Sequence, residues 1–251
     1  MFLVSLRKEF LEQWRSRRLL IVAVVFVLFG LSSPLLAKMM PEFFRLMPQG
    51  DQIAKLIPPP SLADAVGQYV KNLSQFGILL AILLAMGAVS QEKERGTAAL
   101  ILVKPMTRGA FLLGKFAAIS LSFLIAVALA GLGAYYYTVL LFEAPPLGGW
   151  VALNLLLVLV CLVYVAITLC FSAIARSQVA AAAGGFGAML ILSLAGSLPA
   201  IGSRLPHELI NWGSRLALGG SQASWTALAA ALLLVVLPLG LGWLSFSRQE
   251  L

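Results

Sequence analysis

The stretch that decides the fold runs from Asn72 to Lys115 and has two parts: NLSQFGILLAILLAMGAVSQ (72–91), which carries no charge, and EKERGTAALILVKPMTRGAFLLGK (92–115), which is charged. A helix rises about 1.5 Å per residue, so about 20 apolar residues span a hydrocarbon core of about 30 Å. The second part contains glycine and proline, yet its centre, 98–103, is wholly apolar. This pattern predicts a membrane-spanning helix followed by a short interfacial helix with a face available to a partner.

The rest of the chain repeats the first of these two patterns. Asp, Glu, Lys and Arg are absent from five further windows: 19–37, 116–142, 144–175, 177–203 and 216–247. Hydrophobic residues make up 61% of the chain and charged residues 11%, with a mean hydropathy of +0.96, whereas about a quarter of a soluble domain is charged. Because lipid tolerates only helices or closed barrels, and the windows lack a barrel's period-two alternation, the chain is predicted to be an all-α polytopic membrane protein.

These windows predict one transmembrane domain over 1–251, with six transmembrane helices at about 19–37, 71–91, 116–139, 150–174, 178–199 and 224–246. Ser61 followed by Asp64 is typical of a helix N-cap, so the second helix is expected to begin there, outside the membrane. The segments 143–150 and 199–224 leave no room for a second folded domain. Tyr135, Tyr136, Tyr137 and Trp150 are interpreted as anchors at the membrane interface.

The distribution of Lys and Arg residues indicates how the chain is oriented in the membrane. If the chain crosses six times, 12 of these residues lie on the side that holds the termini and 91–115, and 6 lie on the other side. The positive-inside rule therefore predicts that both termini and 91–115 are cytoplasmic. The net charge of +8 indicates contact with membrane lipid. No nucleic-acid partner is expected, since the basic residues are spread over both sides and no nucleic-acid-binding motif is present.

The first eighteen residues form a distinct segment. Phe2, Leu3, Leu6, Phe10, Leu11 and Trp14 fall at helical spacing, while Arg7, Lys8, Glu9, Glu12, Gln13 and Arg15 take the other face. This pattern predicts an N-terminal interfacial amphipathic helix over 1–18. A secretory signal peptide and a solvated basic leader are the alternatives; the first is disfavoured by the length of the following apolar run.

No catalytic, cofactor or metal site is predicted. Within the six windows the only ionisable residues are cysteine and tyrosine, which argues against proton-driven carriers and intramembrane aspartyl proteases. His207 is the only histidine, and one histidine without a cysteine cluster is a poor metal site. Cys161 and Cys170 lie about 13.5 Å apart along one helix, so they cannot form a disulfide with each other. Gly109–Lys115 matches the start of a phosphate-binding loop, but Phe116 replaces the required Ser or Thr.

The segment that begins EKERGT at Glu92, continues with KPMTR at Lys104 and ends with LLGK at Lys115 resembles the cytoplasmic segment of ABC-2 type permeases, the membrane subunits of a class of ATP-binding-cassette transporters. The overall layout is also similar. The resemblance implies a prokaryotic cytoplasmic (inner) membrane protein, with a separate ABC ATPase subunit that holds ATP and magnesium. It also implies a second permease chain, as a homo- or heterodimer, and an exporter is favoured.

In that family a cytoplasmic coupling helix between spans two and three docks in a groove of the ATPase. Here the resemblance assigns this role to 92–108, with the helix over about 96–104. The residues expected at the ATPase interface are Glu92, Glu94, Arg95, Gly96, Thr97, Leu100, Leu102, Val103, Pro105 and Arg108. Glu92, Glu94 and Arg95 are expected either to pair with ATPase charges or to hold the N-terminal helix.

Two other functions remain open on the sequence. A membrane scaffold or assembly factor could recruit a soluble partner through the same segment without transport. A passive channel is disfavoured, because Asn72, Gln75, Asn154 and Thr168 are too few to line a water-filled pore.

Overall fold

The computed structural model describes residues 2–46, 58–94, 96, 107–198 and 201–249, without the side chains of 2–4 and 44. Its helices, in chain order, are α1 (Phe2–Arg15), α2 (Arg18–Arg45), α3 (Leu62–Met86), α4 (Ser90–Glu94), α5 (Arg108–Leu141), α6 (Leu147–Ile174), α7 (Gln178–Gly196), α8 (His207–Ala217) and α9 (Trp225–Ser247), with a 3₁₀ turn at Gly202–Arg204.

Six of these helices, α2, α3, α5, α6, α7 and α9, are long and apolar enough to cross a membrane, and the described residues contain no strand. The predicted all-α fold with six transmembrane helices is therefore confirmed. The third spanning helix begins at Arg108 and contains the whole predicted span 116–139. The predicted 71–91 span is interrupted, because α3 ends at Met86 and Gly87–Val89 form a turn before α4.

The start of α3 is set by a local signal that the sequence predicts correctly. Ser61 is the N-cap: its side chain accepts a hydrogen bond from the Asp64 amide at 3.4 Å, and the Asp64 carboxylate accepts one from the Ser61 amide at 2.8 Å. This reciprocal capping box satisfies two amides that a helix start otherwise leaves unpaired.

Helix α6 lies at the centre of the bundle and contacts α3, α5, α7, α8 and α9. Most of its side chains from Trp150 to Ala173 are buried. Small residues on the neighbouring helices allow this close packing; a Cβ at Gly77 of α3, for example, would lie 2.7 Å from Cys161 Sγ. Cys161 and Cys170 are both free and buried, in agreement with a packing role.

Trp150 is a core residue, and its interpretation as an interface anchor is wrong. It is 5% exposed, its indole N–H donates to Gly131 O at 3.0 Å, and its ring stacks on Tyr69 at 5.0 Å between centroids. The aromatic ring enters the bundle because both faces and the N–H find partners there. Tyr136, in contrast, is 65% exposed.

Helix α8 lies in the segment 199–224, where the charge-free windows predict no helix. Leu209, Ile210 and Trp212 are buried against the bundle. The carbonyl of Leu216 lies so close to Gly149, near the start of α6, that a side chain there would overlap it. α8 therefore packs tightly on the end of the central helix, on the side opposite α1 and α4.

Helix α1 is separated from α2 by Arg17, which has a left-handed φ of 60°. The polar face of α1 is not simply solvated: Ser5, Glu9 and Gln13 are buried, while Leu11 and Trp14 are exposed. α1 packs this polar stripe against α5. Glycine at position 114 makes the approach possible, since a Cβ there would overlap Ser5 Oγ.

Candidate functional site

The candidate site is the junction where the chain leaves α3 and re-enters the bundle at α5. Of the ten predicted interface residues, Glu92 and Glu94 lie in α4, Gly96 follows it, and Arg108 begins α5. The others lie outside the described residues: Arg95, Thr97, Leu100, Leu102, Val103 and Pro105. The coupling helix expected at 96–104 lies outside them too, except for Gly96. The two ends of the coupling segment are described, and each contacts the bundle.

The turn between α3 and α4 is held by Ser172, on the central helix α6. Its buried hydroxyl accepts hydrogen bonds from the amides of Val89 and Ser90, both at 3.0 Å, and donates to Met86 O at 2.8 Å. These are backbone groups that the end of one helix and the start of the next leave without helical partners. One side chain of α6 therefore fixes the angle at which α4 leaves α3.

Lys93 and Glu94 attach α4 to the ends of two spanning helices. Lys93 Nζ donates to Ala173 O, in the last turn of α6, at 2.8 Å, and to Gln249 Oε1 at 3.3 Å. The Glu94 carboxylate accepts from the amide of Gln178, the first residue of α7, at 3.2 Å. A cation at a helix C-terminus and an anion at a helix N-terminus both favourably oppose the helix dipole.

Arg108, at the other end of the segment, binds the C-terminal end of α9. Its Nη1 atom lies 2.6 Å from Phe246 O, 3.0 Å from Ser247 O and 2.8 Å from Gln249 O. The guanidinium carbon lies 5.7 Å from the centre of the Phe246 ring. Arg108 thus satisfies carbonyls that the last turn of α9 cannot pair internally.

Lys115 joins α1, α4 and α5 through a buried group of three charges. Its ammonium lies 3.0 Å from Glu9 Oε2 and 2.6 Å from Glu92 Oε1, and its side chain is 4% exposed. Phe111 adds a cation–π contact at 4.8 Å. Lys8, 3.3 Å from Glu9, balances the remaining negative charge. Glu92 therefore pairs with Lys115 of α5, which also binds Glu9 of the N-terminal helix.

Polar contacts extend this ion-pair group on both sides. Gln13 Oε1 accepts from Ser122 Oγ at 2.5 Å, which ties α1 to α5 about two turns beyond Lys115. Arg18 donates to Gln91 Oε1 at 3.4 Å, which ties the start of α2 to α4. Glu9 and Gln13 of the buried polar stripe of α1 thus have hydrogen-bond partners, as buried polar groups require.

The same region offers three carboxylates whose oxygens lie within 4.8 Å of one another: Glu9, Glu12 and Glu92. Such a group could in principle hold a metal ion. Because the Lys115 ammonium already lies within hydrogen-bond distance of two of them, the arrangement favours an internal ion pair over a metal centre.

Gly96 ends α4 with a backbone conformation that favours glycine. Its φ is +68°, and its amide donates to Lys93 O at 3.1 Å. Among the described residues, no atom beyond its chain neighbours lies within 4 Å of the position that a Cβ would take. The left-handed φ is therefore the reason that glycine is favoured here.

Four residues of this junction were not among the predicted site residues: Glu9, Lys93, Lys115 and Ser172. Lys93 and Lys115 belong to the motif that carries the family resemblance, so the motif itself is the signal that could have identified them. Glu9 and Ser172 have no comparable signal, because each is recognisable only from its partner on a distant helix.

Together these contacts connect the two ends of the segment to four other helices. Lys93 binds the end of α6, Glu94 the start of α7, Arg108 the end of α9, and Lys115 the middle of α1. The described ends of the segment are therefore attached to helix ends across the bundle.

Comparison with known proteins shows the family of this chain. A family model described as "ABC-2 family transporter protein" matches residues 3–251. The chain is also 33% identical over 256 residues to a Bacillus subtilis (strain 168) protein named "Uncharacterized transmembrane protein YxlG", covering 98% of this chain and 96% of that protein. Members of this family are membrane components that associate with an ABC ATPase subunit. The chain belongs to the ABC-2 transporter family.

Proposed function

We propose that this chain is the permease subunit of an ATP-driven transporter and that 92–108 couples it to a separate ABC ATPase. ATP and magnesium are held by that ATPase. Two permease chains, identical or different, form the translocation path in a prokaryotic cytoplasmic membrane, and the complex works as an exporter. Both termini and the junction face the cytoplasm, in line with the 12 to 6 distribution of Lys and Arg.

The observation that carries this proposal is the attachment of both ends of the segment to spanning helices. A loop that served only as an orientation signal would need charge but no fixed geometry. Here Arg108 approaches three carbonyl oxygens at the end of α9, and Lys93 binds the end of α6. These contacts suit a lever that carries work from a partner outside the membrane into the bundle.

A second chain has a candidate contact surface on α7. Only Ala181 and Gly185 of this helix are buried, while Val179, Ile191 and Leu194 are 79%, 68% and 70% exposed. Membrane lipid covers whatever part of this face the second chain leaves free. Since Glu94 binds the first residue of α7, movement of the junction would reach this surface.

The test compares cationic residues on the same side of the bundle. In cells that express the chain with its ATPase, Arg108→Ala is expected to leave membrane abundance near normal but to reduce ATPase stimulation and transport. Arg176→Ala is the matched control: it removes the same charge from the exposed turn between α6 and α7, and its activity should equal that of the parent.

Glu94→Lys and Gly96→Pro test the other end of the segment. The first reverses a charge at the start of α7, and the second introduces a residue that cannot adopt a positive φ. Both are expected to weaken co-purification of the ATPase or to abolish its stimulation. If these variants and Arg108→Ala all transport as well as the parent, 92–108 is only an orientation signal. If the ATPase binds but no cargo moves under any condition, the scaffold role replaces transport.

A further inference from the structure

A groove runs along the surface between α5 and α6, in the half of the bundle that lies away from the junction. Its volume is about 490 Å³, and its walls include Leu124, Ala128, Leu132, Val151 and Leu155, with Trp150 at its base. Volumes of this size hold small organic ligands. The groove is open along its length to the outside of the bundle, at the depth of the hydrocarbon core.

The length of the groove matches one leaflet. On α5 it extends from Tyr135 to Leu124, which is about 16 Å of helix, close to half of a hydrocarbon core of about 30 Å. The hydroxyl of Tyr135 donates to Pro145 O, in the loop that joins α5 to α6, at 3.4 Å. The groove therefore begins at the loop end of these helices and stops near the middle of the membrane.

Water is a poor occupant of this groove. The indole of Trp150 donates to Gly131 O, and the Asn154 amide donates to Trp150 O and accepts from Tyr69. With Tyr135 bound to Pro145, each polar side chain in the lining has a partner within the fold. A stable water needs two to four polar partners, and apolar cavities remain dry.

The groove also exposes residues of a helix that is otherwise central. Val151 and Leu155 of α6 are 48% and 56% exposed, although most of their neighbours on this helix are buried. Ala128, a small residue opposite them on α5, leaves the space between Leu124 and Leu132 unfilled. A flexible apolar chain can fill such a space and gain the packing contacts that an empty groove forfeits.

We propose that this groove binds one acyl chain of a bilayer phospholipid, from the leaflet opposite the junction. The chain lies along α5 and α6 between Tyr135 and Leu124, with its methyl end near the bilayer centre. The site belongs to the permease itself, so it is occupied without the ATPase and without nucleotide.

The test uses the full chain in nanodiscs of phosphatidylethanolamine and phosphatidylglycerol. A small fraction of the phosphatidylethanolamine carries a photoreactive diazirine in the middle of one acyl chain. After irradiation, peptide mass spectrometry should find labels concentrated on Val151 and Leu155. Ala128→Phe, which fills the groove from an exposed position, should abolish this labelling. Ala229→Phe, the same change on the exposed face of α9, should leave it unchanged.

A second variant keeps the proposal testable if Ala128→Phe does not fold. Leu155→Ala widens the groove without a steric conflict and should increase labelling at Val151. Labelling that is even over all exposed helices and insensitive to these changes would overturn the proposal.

Two other occupants would also be revealed. Efficient disulfide formation between two Leu132→Cys chains in native membranes would show that a second copy fills the groove. Labelling of Val151 that appears only with the ATPase and ATP would show that the occupant is cargo. Either result would overturn the proposal. Both experiments can be interpreted whether or not 92–108 is the coupling segment.

Discussion

Replacement of Lys115 by methionine tests the ion-pair group that joins α1 to α4 and α5. Methionine keeps much of the length and the apolar contact of the lysine side chain but removes its charge, so Glu9 loses the partner 3.0 Å away in a site where the lysine is 4% exposed. Removing one member of a buried ion pair destabilises a protein by about 3–5 kcal/mol. For a chain of this size that corresponds to a fall of roughly 6–20 °C in melting temperature.

The assay is thermal unfolding of the purified chain in a mild detergent, followed by intrinsic tryptophan fluorescence and amide hydrogen exchange. The loss of exchange protection should be concentrated in α1. The double variant Lys115→Met/Glu9→Gln removes one of the two carboxylates that pair with Lys115 and should recover part of the lost stability. If the double variant is no more stable than Lys115→Met alone, Glu9 and Lys115 are not energetically coupled and the reasoning fails.

Three further predictions concern single positions. Gly96→Ala should destabilise the end of α4 by about 1–2 kcal/mol, because a left-handed φ is unfavourable for alanine. Gly96→Asn should destabilise it less, because asparagine tolerates this conformation better. Faster amide exchange over 90–94 in Gly96→Asn than in Gly96→Ala would contradict this prediction. Ser172→Ala should cost about 1–3 kcal/mol, since two buried amides lose their acceptor. Ser120→Ala removes a hydroxyl that donates to Phe116 O within its own helix and should change the unfolding midpoint little. Equal midpoints for both serine variants would refute the bridging role of Ser172. Burial raises the pKa of Glu208, because it disfavours the charged carboxylate. Hydrogen bonds from Asn211, Arg215 and Ser224, together with the charge of Arg215, have the larger effect in sum and hold this pKa below its usual value. The stability that Glu208 contributes is therefore complete above its usual pKa and is lost as the pH falls through the lowered value. Amide exchange in α8 should rise in that acidic range, and Glu208→Gln should remove the pH dependence; an unchanged pH profile in that variant would argue against the assignment.

The parts of the fold that the sequence predicted correctly depend on local patterns. A charge-free window is visible without knowing any other helix, and the capping of α3 by Ser61 and Asp64 involves two residues three positions apart. The spanning helices and the start of α3 were therefore predictable. α8 was not predicted although its pattern is local, because an eleven-residue amphipathic helix is too short to form a spanning window.

The site was predicted only in outline, because its geometry depends on distant partners. The charged motif identified the segment, but nothing near Glu9 in the sequence indicates that Lys115 lies beside it. Ser172 is one hydroxyl in an apolar helix, and its role depends on the turn at Gly87, which hydropathy alone does not reveal. Trp150 was misplaced for a similar reason, since the carbonyl that binds its indole belongs to a neighbouring helix.

The separation of these partners along the chain has a consequence for biosynthesis. Glu9 and Lys115 are 106 positions apart, and Arg108 lies 141 positions before Gln249. At a synthesis rate of about 5–20 residues per second, Glu9 waits about 5–20 seconds for its cation to be made. The carbonyls that bind Arg108 are synthesised 138–141 positions after it, which takes about 7–28 seconds at the same rate. A nascent chain stalled before Phe246 therefore lacks contacts that complete the junction.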